Sequence, residues 1–233
     1  MPVLANVLIR KTHGQVELTS SDLEIQIRTR ADLGGDDGEF ATTLGARKLI
    51  DILRTMPADQ SVSLEANGGK LLLKGGKSRF TLQSLPASDF PLVQESAQFG
   101  SQFSIPQKTL KALMGQVAFA MAVQDIRYYL NGILFVAEGN RLTLVATDGH
   151  RLARIDADLP EGADGMAGVI VPRKTVGELR KLLDDDDMKI AVSVSETKIR
   201  FATPDITLTS KVIDGTFPDY TRVIPQGNTP KLE

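Results

Sequence analysis

An internal repeat is the feature of this sequence that most constrains its fold. Residues 2–9 match residues 128–135, and Thr81–Ser84 matches Thr207–Ser210, in both cases at a shift of 126 positions. Other matches follow in chain order: Ser21 and Asp22 with Thr147 and Asp148, Ala46–Lys48 with Pro172–Lys174, and, one position later, Phe90 and Pro91 with Phe217 and Pro218. Several ordered matches at one spacing indicate that one structural unit has been duplicated.

The repeat divides the chain into predicted domains. We expect a first domain over residues 1–99, a second over 100–226 and the start of a third over 227–233. The second copy opens with a short strand and a helix that begins near Pro106, whereas the first copy has no counterpart of this segment before Met1. We therefore expect the first domain to lack its opening strand and helix, and the chain to be a fragment of a longer protein.

Alternating apolar and polar residues predict that most of the chain is antiparallel strand. Residues 16–19 and 23–28 alternate in this way on either side of a polar turn. Short segments that tolerate positive φ separate the apolar runs and predict hairpin turns: His13 and Gly14, Asn67–Gly69, Gly75–Ser78, and Glu138–Asn140. The sequence therefore predicts a chain built mainly of hairpins.

Three windows show helical periodicity instead: residues 46–56, 106–122 and 172–183. Prolines at 106 and 172 suit the first turn of a helix. Each window has an apolar stripe that predicts one buried face: Leu49, Ile52, Leu53 and Met56 in the first, Leu110, Leu113, Met114 and Val117 in the second, and Val176, Leu179 and Leu182 in the third. Strands and helices together predict an α+β fold.

The three helical windows are more basic than the rest of the chain. They contain nine of the 27 Lys and Arg residues but only two of the 29 acidic residues, in a chain with a net charge of −2. If the two copies pack side by side, equivalent helices share one face, which would contact phosphates with salt-dependent affinity and without reading bases. The alternative is that these basic residues simply solvate the helix surfaces.

Composition excludes several other classes of protein. The chain has no cysteine, which excludes disulfide bonds and zinc sites with thiolate ligands. Met1–Leu4 lacks the pattern of a signal peptide, and no apolar run is long enough to span a bilayer. We therefore expect a cytoplasmic protein.

Two stretches, Val123–Phe135 and Leu144–Ala153, closely resemble the beta subunit of bacterial DNA polymerase III, the replicative sliding clamp. Other segments extend the resemblance over essentially the whole chain: Gly45–Lys48, Ser78–Leu82, Pro86–Pro91, Val169–Lys174 and Ser210–Tyr220. The resemblance implies tandem clamp domains with antiparallel sheets outside and helices on the inner face. In the family, three such domains form a subunit, and two subunits close head to tail into a homodimeric ring.

The resemblance also implies a function. Such a protein is a processivity factor without catalytic activity, cofactor or metal; it encircles double-stranded DNA and docks the polymerase catalytic subunit, the clamp loader and repair proteins. The residues expected to face DNA are Arg47, Gln124, Tyr128, Tyr129, Arg173 and Lys174. Basic residues there would contact phosphates, and tyrosines would offer flat apolar contact. For Tyr128 and Tyr129 the alternative is packing within a strand.

A pocket for a short linear motif that contains Gln and apolar residues is the second surface that the resemblance implies. The matching positions are Arg127, Leu130, Thr147, Gly149, His150, Arg151, Leu152, Pro218, Arg222 and Val223. Leu130, Leu152, Pro218 and Val223 would form an apolar floor. In the family the third domain supplies part of this pocket and of the ring closure, so we expect both to be incomplete here. Phe80 and Leu82 resemble the subunit interface and are expected to be uncovered.

An enzyme is the first alternative. His150 stands next to Asp148, but no nucleophile accompanies the pair, and the other histidine, His13, lies in a predicted turn. Asp184–Asp187 resembles a metal site only by its charge, because consecutive carboxylates point in several directions. A solvated connection between a helix and a strand is the better interpretation.

Two further alternatives are a nucleotide-binding protein and an adaptor that binds only other proteins. Gly75–Ser78 resembles the end of a phosphate-binding loop, but Leu71 stands where its first glycine is required. No strand, glycine-rich turn and helix of the dinucleotide-binding type is found in the sequence. The remaining alternative is an adaptor that docks linear motifs through the pocket and does not contact DNA.

Overall fold

The computed structural model describes residues 2–32, 38–93 and 99–225. In the first half of these ranges the strands are β1 Asn6–Thr12, β2 Gln15–Ser21, β3 Ile25–Asp32, β4 Phe40–Gly45, β5 Val62–Asn67, β6 Lys70–Gly75 and β7 Ser78–Leu85. The later strands are β8 Ser101–Pro106, β9 Gly132–Glu138, β10 Arg141–Thr147, β11 Leu152–Asp158, β12 Val169–Pro172, β13 Lys189–Val194, β14 Lys198–Ala202 and β15 Ile206–Lys211. The helices are α1 Ala46–Arg54, α2 Gln107–Val117 and α3 Arg173–Leu182. Short 3₁₀ turns include Pro2–Ala5, Ala118–Ala120, Tyr128–Leu130 and Tyr220–Val223.

The order of these elements repeats, which confirms the predicted duplication. A 3₁₀ turn, four strands, a helix and three strands follow one another from Pro2 to Leu85, and again from Tyr128 to Lys211. Strand β9 begins and ends 126 positions after β1, as β10 does after β2. Helix α3 begins at Arg173, one residue later than a shift of 126 positions from the start of α1 at Ala46 would give.

Two details of the helices differ from prediction. Pro106 and Pro172 directly precede α2 and α3 and do not lie within their first turns. In α1 the buried residues are Leu49 and Ile52, whereas Leu53, expected in the same stripe, is 40% exposed. The buried stripe of α2, in contrast, is the predicted one in full.

Contacts divide the described residues into two compact units. Unit 1 takes its residues from 1–104 and 189–211, and unit 2 from 105–188 and 212–233. Because β15 pairs with β3, strands of the second copy join the sheet of the first copy. The contact units therefore do not coincide with the two copies, and the predicted boundary near residue 100 stays a prediction.

Unit 1 contains most of a sheet of eleven described strands in the order β5-β6-β7-β4-β1-β2-β3-β15-β14-β13-β8. Helix α1 packs on β1 and β4, above a core that includes Ile9, Leu44 and Leu82. Leu82 is only 5% exposed, and Phe80 packs against the same core from the same face of β7. The expectation that Leu82 is uncovered was therefore wrong.

Unit 2 contains a sheet whose described strands lie in the order β11-β10-β9-β12. Helix α2 packs on β10 and β11, and α3 packs on β9 and β12. Leu142, Leu144 and Ala146 of β10 are completely buried. The 3₁₀ turn Tyr128–Leu130 directly precedes β9 of this sheet, and a short loop joins β10 to β11.

Candidate functional site

A cavity of about 720 Å³ opens on the surface of unit 2. It brings together Arg127, Leu130, Thr147, Gly149, His150, Arg151, Leu152, Pro218 and Val223, all of which were predicted to share a pocket. Arg222 does not line the cavity; its Nε pairs with Asp219 Oδ2 at 2.8 Å. The cavity also contains residues that sequence reasoning did not place there: Tyr129, Asp219, Tyr220, Ile224 and Pro225.

The floor of the cavity is apolar. Leu130 is 2% exposed at the end of a 3₁₀ turn, and Leu152 is half-buried at the first position of β11. Pro218 and Val223 also line the cavity and remain exposed. Such a floor stabilises a bound apolar side chain by removing both surfaces from water.

The loop between β10 and β11 is held by hydrogen bonds to Asp148. The Asp148 carboxylate accepts from the main-chain nitrogens of His150 and Arg151, each at 3.0 Å, and these bonds lower the pKa of Asp148. Thr147 Oγ1 donates to the carbonyl oxygen of Arg151 at 2.7 Å. Asp148 therefore organises the loop, and its bond to His150 goes to the main chain and not to the ring that a general base would need.

Arg127 is fixed at the rim by a bidentate ion pair. Its Nε and Nη2 donate to the two carboxylate oxygens of Asp125 at 3.0 and 2.8 Å, and Nη2 also donates to the Asp148 carbonyl oxygen at 3.3 Å. The hydrogen bonds from Arg127 lower the pKa of Asp125 to about 2. Gly149, at φ +87°, lies so close that a Cβ there would be 2.9 Å from Arg127 Nη1.

The residues predicted to face DNA lie on three elements. Arg47 is exposed on α1, and Arg173 and Lys174 are exposed in the first turn of α3. Arg173 Nη1 also donates to the Met121 carbonyl oxygen at 3.3 Å. Gln124 is exposed, at φ +54°, in the loop that leads to Arg127.

Tyr128 and Tyr129 form a 3₁₀ turn and not a strand, so strand packing does not explain them. Their rings meet edge to face at 5.8 Å. Tyr128 is 56% exposed, whereas Tyr129 lines the cavity. The pair therefore contributes one ring to solvent and one to the cavity.

The acidic run Asp184–Asp187 is more than a solvated connection. Lys108 pairs with Asp187 at 2.7 Å and Lys111 with Asp185 at 2.9 Å. Both lysines of α2 are thus neutralised within unit 2, which weakens the expectation of a free basic face on that helix. Over the described residues, no group of three or more His, Cys, Asp or Glu side chains is placed to hold a metal.

Comparison with known proteins identifies the family. Residues 1–94 match the N-terminal domain of the DNA polymerase III beta subunit, and residues 104–219 match its central domain. The chain belongs to the DNA polymerase III beta subunit family. The beta sliding clamp of Pseudomonas aeruginosa is 45% identical over 230 residues, which are 97% of this chain and 62% of that protein.

Solved structures of beta subunits share the fold. The DNA polymerase III subunit beta of P. aeruginosa superposes with a TM-score of 0.94 at 44% identity, over 98% of this chain and 63% of that one. A structure of the same organism's sliding clamp bound to griselimycin gives a TM-score of 0.92 at 44% identity, over 97% and 61%. This beta-subunit chain therefore spans less than two thirds of the length of these relatives. Of the helices that the structure describes, none is long and apolar enough to cross a membrane.

Proposed function

We propose that this chain acts as part of a DNA sliding clamp, the non-catalytic processivity factor of the bacterial replicative polymerase. The observation that carries the proposal is the match of two consecutive beta-subunit domains over residues 1–94 and 104–219. In the assembled protein, a homodimeric ring encircles duplex DNA in the cytoplasm. Partners dock on its surface through linear motifs.

DNA is held without sequence preference. Arg47, Arg173 and Lys174 are exposed at the starts of equivalent helices, and cations at such positions neutralise phosphates and release counterions. Contacts of this kind position a duplex without reading its bases, which suits a protein that must slide.

The cavity of unit 2 is the docking site for motifs that carry Gln and apolar residues. Its floor of Leu130, Leu152, Pro218 and Val223 takes the apolar side chains, and Arg127 and Thr147 orient the peptide from the rim. The expected partners are the polymerase catalytic subunit, the clamp loader and other proteins with the same motif.

An adaptor that never touches DNA is the second candidate. The pairing of Lys108 and Lys111 with aspartates favours it, because these lysines are not free for phosphate. The two functions differ in how DNA binding responds to charge.

The test compares duplex DNA binding between about 50 and 200 mM salt in matched variants. One variant carries Arg47→Glu, Arg173→Glu and Lys174→Glu; its control carries Lys70→Glu, Lys77→Glu and Arg79→Glu, three exposed positions of the β6–β7 hairpin. The clamp function predicts that the first variant loses affinity. The slope of log K against log salt, which is negative, should shrink in magnitude by about 3, roughly one unit per lost phosphate contact. Equal binding in the two variants would favour the adaptor.

A further inference from the structure

A short segment after β15 forms part of the cavity wall and supplies Pro218 and Val223 of its apolar floor. Pro218, Asp219, Tyr220, Val223, Ile224 and Pro225 all come from this segment. Its regular part is the 3₁₀ turn Tyr220–Val223, which Asp219 caps by accepting a hydrogen bond from Thr221 N at 3.2 Å. One short turn has little stability of its own. The shape of this wall therefore depends on what fastens the segment to the rest of unit 2.

Tyr220 is the fastening point. Its side chain is 6% exposed, and its hydroxyl donates a hydrogen bond to the Glu138 carboxylate at the end of β9. Burial and the neighbouring Glu138 raise the pKa of Tyr220, so the hydroxyl keeps its proton. Over the described residues, this is the one side-chain hydrogen bond from 214–225 to another element.

A charged cluster holds Glu138 and Tyr220 in place. The Arg154 guanidinium lies 5.5 Å from the centre of the Tyr220 ring, and Arg154 Nη2 contacts Glu138 Oε2 at 3.3 Å and Asp156 Oδ1 at 3.1 Å. Asp156 in turn accepts from Thr143 Oγ1 at 2.7 Å. Glu138, Thr143 and Arg154 belong to β9, β10 and β11, so the cluster is anchored on three neighbouring strands.

We infer that Glu138 and Arg154 are positioning residues that keep the cavity open by holding Tyr220. Neither Glu138 nor Arg154 lines the cavity. Each therefore acts on a bound peptide only by holding Tyr220 and the segment after β15 to which Tyr220 belongs. A preformed wall spares the peptide the cost of ordering that segment when it binds. The inference rests on the proposed docking function of the cavity.

The experiment measures binding of a Gln-Leu-x-Leu-Phe peptide to wild type, Glu138→Ala, Tyr220→Phe and the double variant. Each single change removes the same hydrogen bond, and we expect about tenfold weaker binding from each, the scale of one lost hydrogen bond to a charged group. The double variant should bind the peptide no more weakly than the weaker-binding single variant does, because both changes act through one contact. Asp185→Ala is the control: it breaks the 2.9 Å ion pair with Lys111 elsewhere in unit 2, at residues that do not line the cavity, and should bind like wild type.

Amide hydrogen exchange separates positioning from general stability. Faster exchange in Tyr220–Val223, with unchanged exchange in β9–β11, is expected for Glu138→Ala. If that variant melts well below wild type, Glu138→Leu, which keeps much of the bulk of the side chain but has no oxygen to accept the hydrogen bond, takes its place. Wild-type-like peptide binding in the single variants would overturn the positioning inference but not the docking function. An additive loss of peptide affinity in the double variant would do the same. Absence of binding by wild type overturns the proposed docking function itself.

Discussion

Replacing Gly149 with alanine tests whether the position of Arg127 controls the cavity. Gly149 has φ +87°, in the left-handed region that L-residues adopt at a cost of about 1–2 kcal/mol. A Cβ there would lie 2.9, 3.1 and 3.4 Å from Nη1, Nη2 and Cζ of Arg127. Ordinary van der Waals contact needs 3.4 to 4 Å, so the guanidinium must move by several tenths of an ångström. That shift disrupts its bonds of 3.0 and 2.8 Å to Asp125.

Gly139→Ala is the matched control. Gly139 also has a positive φ, +59°, in the turn between β9 and β10, but a Cβ there would meet nothing within 4 Å. Both variants should therefore lose about 1–2 kcal/mol of unfolding free energy, measured by urea denaturation. Only Gly149→Ala should also bind the motif peptide about fivefold more weakly, the scale of one exposed charged contact, measured by fluorescence anisotropy. Equal peptide affinity in the two variants would refute the role assigned to Arg127.

Two further predictions concern charged residues of unit 2. The Asp125 carboxyl should titrate near pH 2 by NMR, and its pKa should rise part of the way toward 3.8 in Arg127→Ala, because the main-chain nitrogen of residue 127 still donates to Asp125 Oδ1. Because the folded-state pKa is lowered, the contribution of this ion pair to stability is complete above about pH 4 and is lost as the pH falls toward 2. Asp185→Asn with Asp187→Asn should free Lys111 and Lys108 and tighten duplex DNA binding several-fold at low salt. The control, Glu161→Gln with Asp164→Asn, makes the same change of charge at exposed positions, and equal tightening there would point to net charge alone.

Local sequence patterns predicted the regular elements well. Alternation over residues 16–19 falls within β2, and the four predicted hairpin turns lie between paired strands. The apolar stripe of α2 is buried as predicted because Leu110, Leu113, Met114 and Val117 recur at helical spacing. The repeat was visible because equivalent elements keep nearly constant spacing along the chain.

Contacts between distant positions could not be predicted in the same way. Tyr220 joins the cavity because it reaches Glu138, 82 positions earlier, and no local pattern encodes that pair. The pairing of Lys108 with Asp187 spans 79 positions and likewise has no periodic signal. Periodicity also placed Leu53 in a buried stripe, but how much of a helix face is covered depends on neighbouring elements. The predicted pocket residues came from family resemblance, which carries such long-range information.

The most direct test of the account is a titration of the Gln-Leu-x-Leu-Phe peptide against wild type and Leu152→Ala with Pro218→Ala. Leu152 is half-buried and Pro218 is exposed, so the double change should lower the melting temperature little. The account predicts saturable binding by wild type and its loss in the variant, with nearly equal melting temperatures. Wild-type affinity in the variant would contradict it, and so would a large loss of stability, which would make these residues part of the core and not the floor of a docking site.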